Sequence, residues 1–134
     1  MRVTQDMAEK MGADYAKAWC SLEASAVAAF YAPDGRIIIN EGDPSEGRDA
    51  ITAMPQGFYD EFPDLVVHMD DIRSSGTHAI FRWTLEGTNT GEGGSGNRVV
   101  LSGWEYWKFS DEGLVAESAG HFDTDDFQRQ LDGN

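Results

Sequence analysis

His121 and Asp123 stand two positions apart, where the last apolar segment of the chain meets a polar one. Residues i and i+2 of a β-strand point to the same face, so the imidazole and the carboxylate are expected to project side by side. In a pocket, such a pair could transfer protons near neutral pH. In water, Asp123 would only cap the helix expected from Thr124, a role worth about 1 kcal/mol. The sequence leaves both roles open.

A second candidate group is a carboxylate within a predicted strand at residues 98–110. If Lys108 faces solvent, alternation places Glu105 and Trp107 on the inner face. An inward Glu105 is costly unless it is paired or protonated. A strand bulge that turns it to solvent is the competing interpretation.

Further pocket residues follow from the same alternation. In a strand at 78–90, Trp83 and Asn89 share the inner face, and the parity of Asp123 carries His121 to that face. Small convergent polar groups in an apolar concavity are typical of ligand pockets. The aromatic residues are compatible with ordinary core as well. The predicted ligand-binding residues are Trp19, Tyr15, Phe58, Trp83, Asn89, Glu105 and Trp107.

Two periodicities divide the chain into a helical part and a strand part. Apolar residues spaced three and four apart predict helices over about 4–19, 21–31 and 48–62. Pro55 is expected to kink or split the third helix. Alternation predicts strands at 36–40, 65–69, 78–90, 98–110 and 114–122. This order predicts a single α+β domain over 1–134, with helices packed on one face of an antiparallel sheet.

The composition argues against several classes of partner. Ten basic and 24 acidic residues give a formal net charge of −14, which repels nucleic acid and anionic lipid surfaces. No apolar run approaches the ~20 residues that span a bilayer. The N-terminus lacks an apolar signal core, so a cytoplasmic location is expected.

Neither a metal nor a cofactor is expected. The single Cys20 allows no thiolate cluster. His121-x-Asp123 could open a facial iron triad, but no histidine follows it. Residues 91–96 match G-x-G-x-x-G, yet they join two predicted strands, whereas a dinucleotide fingerprint needs a strand followed by a helix.

Trp104 and Tyr106 are predicted on the outer face of the sheet. Large adjacent aromatics on an exposed face indicate a contact surface. A homodimer through this face is therefore expected.

Several short motifs in order resemble the SnoaL-like polyketide cyclase family of the nuclear-transport-factor-2-like superfamily, over essentially the whole chain. They are Trp19, Phe30-Tyr31-Ala32-Pro33-Asp34-Gly35, Gly47-Arg48-Asp49-Ala50-Ile51, Phe62-Pro63-Asp64-Leu65, residues 82–91, Ser102-Gly103, Phe122-Asp123 and Arg129-Gln130-Leu131. The resemblance implies a cone-shaped α+β fold, in which a curved antiparallel sheet packs on N-terminal helices around an internal pocket. It also implies dimers through the sheet.

The resemblance further implies an aspartate general base just before the last helix, acting without metal or cofactor, and Asp123 matches that position. The chain departs from the family at Asn89, where many relatives have histidine, and at His121-Phe122, before the aspartate. The expected function is a cofactor-free cyclase, isomerase or lyase acting on a small, apolar, oxygenated molecule, with Asp123 as base and His121 as its partner. The alternative is a non-catalytic ligand-binding or accessory dimer of the same fold.

Overall fold

The computed structural model describes residues 2–134 of the chain, and it confirms the α+β class. The helices are α1 (Gln5–Cys20), α2 (Ala24–Ala28), α3 (Gly47–Glu61) and α4 (Thr124–Leu131). The strands are β1 (Tyr31–Ile39), β2 (Ser45–Glu46), β3 (Val66–Ser75), β4 (His78–Thr88), β5 (Arg98–Phe109) and β6 (Val115–Phe122). Within residues 2–134, no helix combines the length and the apolarity needed to cross a membrane.

The strands form one curved sheet in the order β2-β1-β6-β5-β4-β3. Strands β3 to β6 form the predicted antiparallel meander. Strand β1, however, runs parallel to β6. A parallel pair needs a long crossover, and here α3 and the other three strands of the meander lie between the two in the chain. The expectation of a wholly antiparallel sheet was therefore wrong for this pair.

Helix α1 packs on the inner face of the sheet through residues three and four apart. A Cβ added at Gly12 would lie 2.6 Å from Met69 Sδ, so glycine permits the close approach of this helix to β3. Tyr15 and Trp19 follow on the same buried side of the helix. Both rings are thereby aimed at the space between helix and sheet.

The second predicted helix is much shorter than expected. Leu22 has a left-handed backbone (φ 62°), which separates α1 from α2, and α2 ends at Ala28. Tyr31 is the first residue of β1 rather than part of a helix. The Val115 amide donates to the Phe30 carbonyl (2.9 Å), so pairing with β6 replaces the helical bonds that this segment would otherwise make.

Helix α3 and strand β3 also differ from their predicted extents. Helix α3 is one continuous helix that contains Pro55, so Pro55 does not split it, and a kink there stays a prediction. Strand β3 continues to Ser75 because a bulge between Met69 and Asp71 lets it keep pairing with β4. The strand predicted at 65–69 is therefore six residues longer at its carboxyl end, and the turn to β4 follows Ser75.

The register of the meander assigns each side chain to a face. Glu105 pairs with Phe81 of β4 and with Gly120 of β6. The predicted inward orientation of Glu105 is thus confirmed. Strand β6, however, has the opposite parity to the prediction, since the inward Gly103 pairs with Phe122 and the outward Trp104 pairs with His121.

Candidate active site

A cavity lies between the inner face of the sheet and helices α1 and α3. The empty space in and around it is about 550 Å³, a figure that includes open solvent at its mouth. Its walls are mostly aromatic and aliphatic, with one acidic side chain and no lysine or arginine among them. The lining residues are Trp19, Ile37, Ile39, Met54, Phe58, Val67, Phe81, Trp83, Leu85, Glu105, Ser118, Gly120, His121 and Phe122.

The carboxylate of Glu105 is the focus of a hydrogen-bond network at this cavity. Its Oε1 atom accepts from Ser118 Oγ (2.7 Å), Trp107 Nε1 (3.0 Å), Tyr15 OH (3.1 Å) and Tyr31 OH (3.3 Å). The two tyrosine oxygens are also 2.9 Å apart. One tyrosine can therefore donate to the other, and Oε1 receives at least three protons in either arrangement.

The second oxygen, Oε2, has no such partners. No residue between 2 and 134 donates a hydrogen bond to Oε2. Since no fully buried side-chain oxygen or nitrogen of these residues lacks a partner, Oε2 must retain some accessible surface. Glu105 as a whole retains some accessible surface and lines the cavity. We conclude that Oε1 is held by the protein and that Oε2 opens into the cavity.

Burial is the main influence on the ionisation of these groups. It raises the pKa of Glu105 above its ordinary 4.5, while the bonds from Trp107, Ser118, Tyr15 and Tyr31 oppose it. Burial also raises the pKa of Tyr15 and Tyr31 well above 10, and the nearby Glu105 charge adds to this. Both phenols therefore remain protonated donors, and Glu105 is the acid–base group of the network.

Four elements bring these five side chains together. Tyr15 comes from the buried face of α1, and Tyr31 from the start of β1. Glu105 and Trp107 are alternate residues of β5, and Ser118 pairs with Trp107 across β6. The adjacent strands β5 and β6 therefore fix three of the groups, the neighbouring strand β1 adds the phenol of Tyr31, and α1 adds that of Tyr15.

The predicted ligand-binding residues divide into three groups. Trp19, Phe58, Trp83 and Glu105 line the cavity. Tyr15 and Trp107 lie behind it and hold Glu105. Asn89 does not reach it, because its side chain bonds to the Glu61 carbonyl and the Ser95 amide and so orders a loop.

The structure separates His121 from the inner face. Its ring stacks on the outward Trp104 (centroids 5.1 Å apart, planes at 26°), although part of the residue borders the cavity. The expectation that both members of the pair project into the pocket was wrong. The prediction assumed that β6 extends to Asp123, whereas the strand ends at Phe122 and Asp123 follows a different backbone geometry.

Asp123 is the N-cap of α4. Its Oδ1 accepts from the amides of Asp125 (3.0 Å) and Asp126 (3.1 Å). The residue is exposed and does not line the cavity. This geometry is that of the capping alternative, and a catalytic role for Asp123 stays a prediction.

Two residues of the network were missed by sequence reasoning. Tyr31 is the last residue of the predicted helix at 21–31, and Ser118 has the opposite parity to His121, which the sequence predicts to face inward. Ser118 stands two residues before Gly120 and four before Phe122, so the three share one face of β6. This spacing could have identified Ser118, but the small residues of the strand give little contrast between its two faces. No cluster of three or more His, Cys, Asp or Glu suited to a metal occurs within residues 2–134.

Comparison with known proteins now places the chain. The profile of the SnoaL-like domain matches residues 13–118. The chain belongs to the SnoaL-like family. A search of curated protein sequences returned no match.

Solved structures share the fold of this SnoaL-like chain. AclR, a candidate hydroxylase from Streptomyces galilaeus, has a TM-score of 0.82 at 20% identity, with 98% of this chain and 99% of AclR covered. A candidate polyketide cyclase from Xanthomonas campestris has a TM-score of 0.79 at 21% identity, with 95% and 98% covered. A protein of ketosteroid isomerase-like fold from Catenulispora acidiphila, in complex with trimethylamine, has a TM-score of 0.78 at 14% identity, with 88% of each chain covered.

Proposed function

We propose that this chain is a cofactor-free acid–base enzyme of the cyclase, isomerase or lyase type. Its substrate is a small, largely apolar molecule that enters the aromatic cavity. Glu105, rather than Asp123, exchanges a proton with it. The observation that carries this proposal is the difference between the two oxygens of the Glu105 carboxylate. Hydrogen-bond donors hold Oε1 in place, whereas Oε2 is open to the cavity.

Two further features support Glu105 as the proton-transfer group. A general base works best when its pKa lies near the working pH, and burial raises the pKa of Glu105 toward that range. The hydrogen bonds to Oε1 also fix the orientation of the carboxylate before substrate arrives, which reduces the reorganisation needed for reaction. Asp123, by contrast, is exposed, does not line the cavity and uses its Oδ1 to cap α4.

A panel of small cyclic ketones and polyketide-like compounds is first screened for a substrate. The turnover of that substrate is then compared in two isosteric variants, Glu105→Gln and Asp123→Asn. Glu105→Gln keeps the side-chain shape and is expected to reduce kcat by about 10²- to 10⁴-fold, the usual contribution of a general base. Asp123→Asn retains a capping side chain and is expected to keep near-normal turnover. The reverse pattern would assign the base to Asp123 and refute the role of Glu105.

A non-catalytic ligand-binding function is the second candidate. It is favoured by one feature of the cavity wall: the one hydroxyl among its lining side chains, that of Ser118, already donates to Glu105. An enolate formed by proton abstraction would need a donor for its oxygen. A ligand that co-purifies in the cavity and stays chemically unchanged would favour this function.

We also propose that the chain forms a homodimer through the outer sheet face. An outer patch, defined by Ile80, Val100, Trp104 and Tyr106, projects from adjacent strands β4 and β5. All four side chains are among the exposed large hydrophobic residues. Exposed large hydrophobic side chains on one face of a sheet are characteristic of a surface that a partner covers.

A further inference from the structure

The charge balance inside the cavity indicates what kind of molecule belongs there. Glu105 is its one acidic side chain, and no lysine or arginine lines it. The donors of the network all point to Oε1, so the open Oε2 has no cation or hydrogen-bond donor from residues 2–134. A buried carboxylate without a counter-charge is costly, and a bound cation would remove that cost.

The aromatic part of the cavity wall also favours a positively charged ligand. Trp19, Phe58, Phe81, Trp83 and Phe122 surround the cavity. The face of an aromatic ring carries negative electrostatic potential, which attracts cations whose charge is spread over alkyl groups. A compact metal ion would lack the oxygen ligands that it needs here, whereas an alkylated nitrogen suits both the rings and the carboxylate.

We propose that the cavity binds small alkylammonium ions, with the charged nitrogen next to Glu105 Oε2 and the alkyl groups against the aromatic wall. The inference rests on the proposed function only in using the same cavity and the same carboxylate. An N–H of a protonated amine would donate to Oε2, whereas a quaternary ion would make only the charge contact. Neither requires turnover.

The binding test uses three small probes at matched ionic strength, followed by NMR titration of the indole N–H signals. Tetramethylammonium and tert-butanol have the same number of heavy atoms but differ in charge, and diethylammonium adds N–H donors. We expect both cations to bind about tenfold more tightly than tert-butanol, in keeping with a carboxylate and several ring faces. Equal or tighter binding of tert-butanol would overturn the proposal, and so would the failure of both cations to bind.

Glu105→Gln separates the cavity from general attraction by an acidic surface. The net charge of −14 draws cations weakly to the whole protein, and this change leaves that background almost intact. We expect cation affinity to fall at least tenfold in Glu105→Gln and the affinity for tert-butanol to hold or rise. Circular dichroism on the same samples establishes that the variant is folded, and unchanged cation affinity in the folded variant would refute the proposal.

Phe58→Leu tests the aromatic wall with little change in apolar volume. It should weaken tetramethylammonium several-fold and leave tert-butanol nearly unchanged. Phe109→Leu is the matched control, because Phe109 packs on the core without lining the cavity. If both variants bind tetramethylammonium as the parent does, the ring faces do not contribute and the proposal fails at this step.

Proton linkage supplies a readout that catalysis does not influence. A cation favours the ionised form of Glu105, so binding should release protons and strengthen as pH rises through the pKa of that carboxyl. Calorimetry in two buffers of different ionisation enthalpy measures this release. If a neutral substrate is turned over by Glu105 while cations bind with no proton release and constant affinity across a pH series that spans the titration of Glu105, the proposed enzyme function stands and the cation site is refuted.

Discussion

At the scale of single residues, Glu105 combines a structural cost with a chemical use. A carboxylate that served stability alone would be solvated or paired with a cation, because burial penalises its charged form. Here one oxygen is satisfied by Tyr15, Tyr31, Trp107 and Ser118, and the other is left open. Residues kept at a cost to stability are characteristic of functional sites.

This cost predicts a pH dependence with a definite sign. The folded-state pKa of Glu105 is raised above 4.5, so its stabilising contribution is complete below about 4.5 and is lost as pH rises through the raised folded value. The free energy of unfolding of the parent, minus that of Glu105→Gln, should therefore decrease over this interval. Each tenfold difference in proton affinity between the folded and unfolded states is worth about 1.4 kcal/mol.

Urea unfolding across a pH series measures that difference. Glu112→Gln, which removes one exposed carboxylate from the turn between β5 and β6, controls for the loss of a negative charge. A difference that stays flat or increases with pH would show that Glu105 is not penalised by burial.

At the scale of elements, the sequence predicted β4 and β5 better than β6. In β5, the charged Lys108 fixes the outward parity, and the opposite parity, which holds Val99, Leu101 and Trp107, identifies the buried face. In β6 the inward residues include Ser118 and Gly120, which leave no hydrophobic pattern to read. The face of His121 was then inferred from Asp123, although the strand ends at Phe122 and the cap follows different backbone geometry.

Two glycines on neighbouring strands provide a matched test of how the sheet forms the cavity. A Cβ at Gly103 would lie 2.3 Å from the His121 carbonyl and 2.5 Å from a Trp83 ring carbon, whereas one at Gly120 would come no closer than 3.7 Å, to Glu105 Cγ. Gly103→Ala should destabilise the fold by about 1–3 kcal/mol, the usual cost of overpacking. Gly120→Ala should fold normally but weaken ligand binding, because its methyl group enters the cavity beside Glu105.

Urea unfolding and the NMR titration together check this pair. Normal stability in Gly103→Ala would mean that β5 and β6 relax more easily than their contacts indicate. Full ligand affinity in Gly120→Ala would place the ligand away from Glu105, against both proposals for the cavity.

At the scale of the whole molecule, the sheet separates two kinds of aromatic side chain. Those on its inner face enclose Glu105, and those on its outer face form the outer patch. The sequence predicted this two-sided arrangement from alternation in β4 and β5 alone. It could not predict that β1 joins β6 in parallel, because that contact brings together Ile37 and Ser118, which lie far apart in the chain.

The outer patch predicts that one change should separate the proposed dimer into monomers. Tyr106→Arg places a charge on an exposed aromatic (39% exposed) at the patch, and Met7→Arg makes the same charge change on an equally exposed apolar residue of α1 (40%). Light scattering after size-exclusion chromatography should show a dimer for the parent and for Met7→Arg, and a monomer for Tyr106→Arg. Since each subunit carries a net charge of −14, salt should strengthen the parent dimer by screening repulsion. A parent that is monomeric at high salt and high concentration would leave the patch without the partner proposed for it.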